Sequence, residues 1–102
     1  MSRNHTLVHE HRAEFKAAPF ERPAWTVGYW QSSTTEPYAV STLATALLAD
    51  GWRELDNYDR RKAFPGGMTG GVPIDRAFVR TEPGSRIGHV VTLTDKRTLR
   101  TS

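Results

Sequence analysis

The sequence predicts an α+β domain: a small antiparallel or mixed sheet of four to five strands with one main helix, at about residues 36–50, packed on one face. Three observations carry this expectation. Val40, Leu43, Ala44, Leu47 and Leu48 recur at i, i+3, i+4, i+7 and i+8, which is one apolar stripe of a helix. Residues 6–17 alternate with period two, placing Leu7, His9, His11, Ala13, Phe15 and Ala17 on one side. Val8, Glu10, Arg12, Glu14 and Lys16 fall on the other, as in a half-buried antiparallel strand. Near the end, Asp75 to Glu82 and Ile87 to Thr94 read as a hairpin whose Pro83-Gly84 suits a type II turn.

The remaining elements follow in order. A helix over the first segment is the competing reading, with Asn4 as its cap and Leu7, Val8, His11 and Phe15 as its stripe. Pro19 and Pro23 interrupt the chain, and Trp25 to Gln31 forms an aromatic-rich strand with Trp25, Val27 and Tyr29 on one side. Ser32-Ser33-Thr34-Thr35 supplies N-cap candidates for the helix, Glu36 and Pro37 suit its first turn, and Gly51 suits a left-handed C-terminal cap. A strand over Trp52 to Asp56 follows. Residues 57–75 read as a long loop, because charged Asp59-Arg60-Arg61-Lys62 is followed by the run Gly66-Gly67-Met68-Thr69-Gly70-Gly71. In the last strand Ile87, His89, Val91 and Leu93 share a face. The ends, residues 1–5 and the basic tail 96–102, are expected to be flexible.

Composition bounds the function. A length of 102 residues suits a single domain. The net charge of +3 is moderate, and eleven Arg against three Lys are scattered rather than clustered, as GC-rich coding alone would produce. The absence of cysteine removes disulfides, thiol nucleophiles, iron–sulfur clusters and the usual structural zinc sites. With no secretory stretch at the start and no apolar run long enough for a bilayer, a cytoplasmic protein is expected.

Few residues suggest chemistry. His5, His9 and His11 lie near Glu10 and Glu14, a donor set that suits a transition metal, but on a strand the histidines and carboxylates face opposite ways. His89, between apolar neighbours, reads as a packed core histidine rather than a general base. The glycine run lacks the Gly-Lys-Ser/Thr of a phosphate loop, and Pro73 opposes a following helix. No catalytic set, cofactor or metal is therefore expected, and a small metal-dependent or His-based enzyme is the distant alternative.

Two binding readings remain. Between Tyr38 and Ala49 the helix carries no charge, so its outer face offers Ala39, Ser41, Thr42, Thr45, Ala46 and Ala49 to a protein partner or a second copy of the chain. The alternative partner is nucleic acid, contacted by Arg60, Arg61, Lys62, Arg76 and Arg80 with Trp25, Tyr29 and Trp30 as stacking surfaces. The expectation is a non-enzymatic binding domain with a protein partner ahead of nucleic acid and no membrane association.

Overall fold

The computed structural model describes residues 5–15, 25–69, 71–81 and 87–96. Residues 6–15 adopt the strand reading: β1 (Thr6–Phe15) buries His9 and His11 on one face and exposes Glu10 and Arg12 on the other. β2 (Trp25–Glu36) returns antiparallel, pairing Glu36 with Thr6 and Trp25 with Phe15, with a bulge where the register shifts between His11 and Ala13. Of β2's side chains only those of residues 33–36 are described, so the sidedness expected for Trp25, Val27 and Tyr29 lies outside the described set, as do residues 16–24 with both prolines.

The expected start of the helix is corrected. Ser32 to Glu36 belong to β2, and the helix α1 is Val40–Ala49. Thr34 and Thr35 are β-branched and find ladder partners in Val8 and Leu7. Glu36 precedes Pro37, whose ring disfavours the helical region for the residue before it, so the chain stays extended. Ala39 takes the N-cap position without a side-chain cap, and the Thr6 hydroxyl donates to the Tyr38 carbonyl at 2.6 Å, tying the head of α1 to β1.

The other end closes as expected. Gly51 adopts φ +89°; its amide donates to the Leu48 carbonyl and that of Trp52 donates to Leu47, which together form a Schellman cap. Trp52 and Leu47 then pack in the same cluster. The strand that follows is short, β3 (Arg53–Glu54).

Residues 57–75 are not a loop. α2 (Asn57–Ala63) begins where the Asp56 carboxylate accepts from the Asp59 amide at 2.8 Å, and Arg60, Arg61 and Lys62 occupy its last turn, where the helix dipole favours cations. A 3₁₀ turn, Pro65–Gly67, leads into a miniature hairpin of β4 (Met68–Thr69) and β5 (Val72–Pro73). The charge cluster is thus one end of a capped helix, and the glycines serve turns, with Gly66, Gly67 and Gly71 all at positive φ. β6 (Arg76–Thr81) and β7 (Ile87–Asp95) form the expected hairpin; its turn at Pro83-Gly84, like residues 97–102 of the tail, lies outside the described residues.

The main sheet is antiparallel throughout, in the order β2-β1-β7-β6-β3. β7 is its centre and is covered on both sides. Val91 and Leu93 meet α1 together with Phe78 and Ala44, and Val40, Leu43, Leu47 and Trp52 pack around them. Val90 meets Leu55, Phe64, Ile74, Ala77 and Val79 beneath α2 and the small hairpin. Coverage of both faces gives the α+β fold a third layer beyond the one helix on one face that was expected. Leu48, assigned to the inner stripe, is 48% exposed.

Candidate functional site

The width of α1 determines where the molecule is open. A helix is about 10 Å across and strands are about 4.8 Å apart, so one helix covers about two strands. α1 packs on β3, β6 and β7. The same face of β1 and the adjoining end of β2 therefore lie beside the helix rather than beneath it. The result is an open groove of about 520 Å³. Val8, Val91 and Leu93 floor it, Leu43, Ala46, Leu47 and Trp52 wall it, and Glu10, Glu36, Asp50 and Arg80 rim it.

Among the described residues the rim is acidic on balance. Arg80 bonds the Asp50 carboxylate at 3.1 Å and lies 4.6 Å over the Trp52 ring, so its charge is matched to Asp50. Glu10 and Glu36 remain on the strand side, placed on one face by the pairing of Val8 with Thr34 and Thr6 with Glu36. Arg12 shares that face further along β1 but does not line the groove.

The outer face of α1 continues one wall. Thr42, Thr45, Ala46 and Ala49 are exposed as expected, and the Thr45 hydroxyl donates back to the Ser41 carbonyl, leaving its methyl group outward. Ala39 is only half-buried at the cap. Tyr38 and Leu48, 52% and 48% exposed, extend the same neutral surface. Sequence reasoning missed these two and the groove's acidic side, because Glu10 and Glu36 are 26 positions apart and meet only through the β1–β2 register.

Of the residues expected to contact nucleic acid, Arg60 and Arg76 lie together beside Glu54, while Arg80 lies apart from them at Asp50. Arg76 makes two hydrogen bonds to the Glu54 carboxylate, at 2.8 and 2.5 Å, and each group holds the other in its charged form: the Glu54 pKa is lowered and that of Arg76 raised. Arg60 bonds the Asn57 side chain and the Asp75 carbonyl. Arg80 is held at Asp50 on the side of the sheet opposite α2. Of the five, Arg61 and Lys62 are exposed on α2, with the Lys62 ammonium 5.7 Å over the ring of Tyr58, itself 57% exposed.

The histidines occupy the closed face. His9 and His11 stack with ring centroids 6.2 Å apart, and His11 also meets Phe64 at 5.2 Å and Thr69 at 3.4 Å. Burial lowers both pKa values, and for His11 burial together with the charge of its neighbour pushes it down to about 4. Glu10 points to the other face, so imidazoles and carboxylate stay apart, and among the described residues no three metal-ligating side chains converge. Asp59, read from the sequence as part of a charged cluster in a long loop, is fully buried. His89 is half-buried, with Arg12 and Arg80 as its ladder neighbours.

Among the described residues no helix is long and apolar enough to cross a membrane. Comparison with protein-family models, with curated proteins and with solved structures finds no match.

Proposed function

We propose that this chain is a small non-enzymatic domain that binds a protein partner, a second copy of itself included, through the neutral face of α1 and the groove beside it. The observation that carries the reading is the groove, in which Val8, Leu43, Leu47 and Trp52 stay half-exposed beside α1, bordered by an uncharged helix face. A surface of this kind favours another protein's side chains over water. The engagement of Arg60, Arg76 and Arg80 in intramolecular contacts supports a protein partner over nucleic acid, which draws on cations left available for phosphate. A cysteine-free chain also suits the reducing cytoplasm.

Photo-cross-linking tests this. With a benzophenone amino acid in place of Thr45, irradiation in the native host should yield protein adducts of defined mass. The same group at Ser33, exposed on β2, should yield far fewer. Nucleic-acid adducts only, or no adduct specific to Thr45, would overturn the reading.

A further inference from the structure

The groove has a complement on the same molecule. On α2, Tyr58, Arg61 and Lys62 stand at i, i+3 and i+4, one face of the helix, and all three are exposed. They present an aromatic ring flanked by two cations. The groove presents the reverse, an apolar floor with Glu10 and Glu36 at its border. The two surfaces lie on opposite sides of the sheet, α1 against Val91 and Leu93 and α2 against the side of Val90, so one copy cannot bring them together.

Resting on the protein-binding reading above, we propose that the occupant of the groove is a second copy of this chain. Tyr58 of one copy enters between α1 and β1 of the next, and its Arg61 and Lys62 meet Glu10 and Glu36. Charge decides the geometry. A two-fold dimer through the groove would bring together two sets of Glu10, Glu36 and Asp50, with Arg80, already held at Asp50, as the cation among the described lining residues, and one through α2 would bring together two sets of Arg61 and Lys62; each joins surfaces of like net charge. Groove against α2 is the pairing that opposes unlike charges. Because these surfaces lie on opposite faces, the contact is heterologous and leaves a free groove at one end and a free α2 at the other. Copies therefore add in series. The groove volume of about 520 Å³ lies within the roughly 300–1,000 Å³ typical of sites that hold a ligand's bulk, ample for one aromatic side chain.

Two charge-reversed variants of the purified chain test the proposal by sedimentation velocity. Wild type should show a ladder of dimer, trimer and larger species that grows with concentration and retreats toward monomer as salt rises from about 50 mM to 500 mM, where screening of exposed charges is strong. Glu10→Lys with Glu36→Lys removes the groove's complement, and Arg61→Glu with Lys62→Glu removes the other surface, so each variant alone should be monomeric. Mixed one to one, the unchanged α2 of one variant meets the unchanged groove of the other and the two reversed surfaces again oppose unlike charges, so the concentration-dependent ladder should return. Its return also shows that both variants fold. A zero-length carbodiimide cross-link between Lys62 of a ¹⁵N-labelled wild-type copy and Glu10 or Glu36 of an unlabelled one is the expected direct contact. Wild type that stays monomeric at every concentration overturns the self-stacking proposal, as does a single dimer indifferent to the α2 variant. If Thr45 still cross-links a different protein under those outcomes, the protein-binding reading survives; if it cross-links none, both fall.

Discussion

The two faces of the central strand β7 differ in how completely they are covered. Beneath α2 and the small hairpin, Val90, Ala77, Val79, Leu55 and Phe64 are at most 5% exposed, and even the polar residues there, His9, His11, Thr92 and Asp59, are shut away from water. Beneath α1 only the strip under the helix is closed, and Leu43, Leu47, Trp52 and Val8 remain half-exposed along the groove. One face spends two elements and a turn on closure, while the other uses a single ten-residue helix. Stability should therefore be concentrated on the first and binding on the second.

The largest effects should test that division directly. Leu55→Ala removes a side chain 1% exposed on the closed side and should cost about 3–5 kcal/mol in chemical denaturation, since little around it can collapse. Leu47→Ala on the groove wall, half-buried from the start, should cost about half as much. Equal losses from the two would refute the asymmetry.

Acid should open the closed side. Above pH 6.5 His11 is neutral in both states and contributes nothing to the pH dependence. Below it, the unfolded chain takes up a proton that the folded chain refuses until about pH 4. The unfolded state therefore binds more protons in that window, and stability falls as pH falls, by about 3 kcal/mol in full for His11 alone. His9 shifts in the same direction. Glu54, whose carboxylate is held below its ordinary range by the hydrogen bonds from Arg76, loses its contribution as pH falls through that lowered pKa. His11→Phe keeps an aromatic ring against Phe64 and should flatten the pH profile of urea midpoints between 6.5 and 4. A slope unchanged in that variant would assign the acid sensitivity to other groups.

A smaller effect isolates the cap that sets the length of α1. At Gly51 an added Cβ meets no atom within 4 Å, so Gly51→Ala tests only the φ of +89°. The expected cost is about 1–2 kcal/mol, visible as a lowered midpoint with unchanged denaturant slope. No loss would mean that the turn re-forms with another geometry.

Legibility in the sequence followed the range of the interaction. The Gly51 cap, the apolar stripe of α1 and the last hairpin rest on neighbours within a few residues, and each could be read locally. α2 was also local but was masked: Asp56 as a cap three residues before Asp59 was available, yet the charges and glycines beyond it resembled a loop. The start of α1 was misplaced because Ser and Thr serve caps and strands alike, and only the pairing of Thr34 with Val8 and Thr35 with Leu7 decides between them. The candidate site divides the same way. Thr42, Thr45, Ala46 and Ala49 follow from helical periodicity and the absence of charge, whereas the groove exists only once β1 is placed beside β7. Likewise, nothing in the spacing of Arg76 and Glu54 announces their ion pair, so the arginines looked available when they were not.

The smallest expected effect on folding belongs to the open face. Ala46 is exposed on α1 yet lines the groove, so Ala46→Arg places a long cationic side chain beside the half-exposed Val8 and Leu47. Arg is a good helix former and the site has room, so the stability change should stay within about 0.5 kcal/mol. Binding should respond quite differently. The added guanidinium occupies the groove and offsets the negative charge at its border that would attract Arg61 and Lys62 of a second copy. The thermal midpoint should hold while the concentration-dependent species in sedimentation disappear. A variant that loses stability and keeps its assembly would reverse the assignment, making the half-covered face structural and moving the search for the binding surface elsewhere.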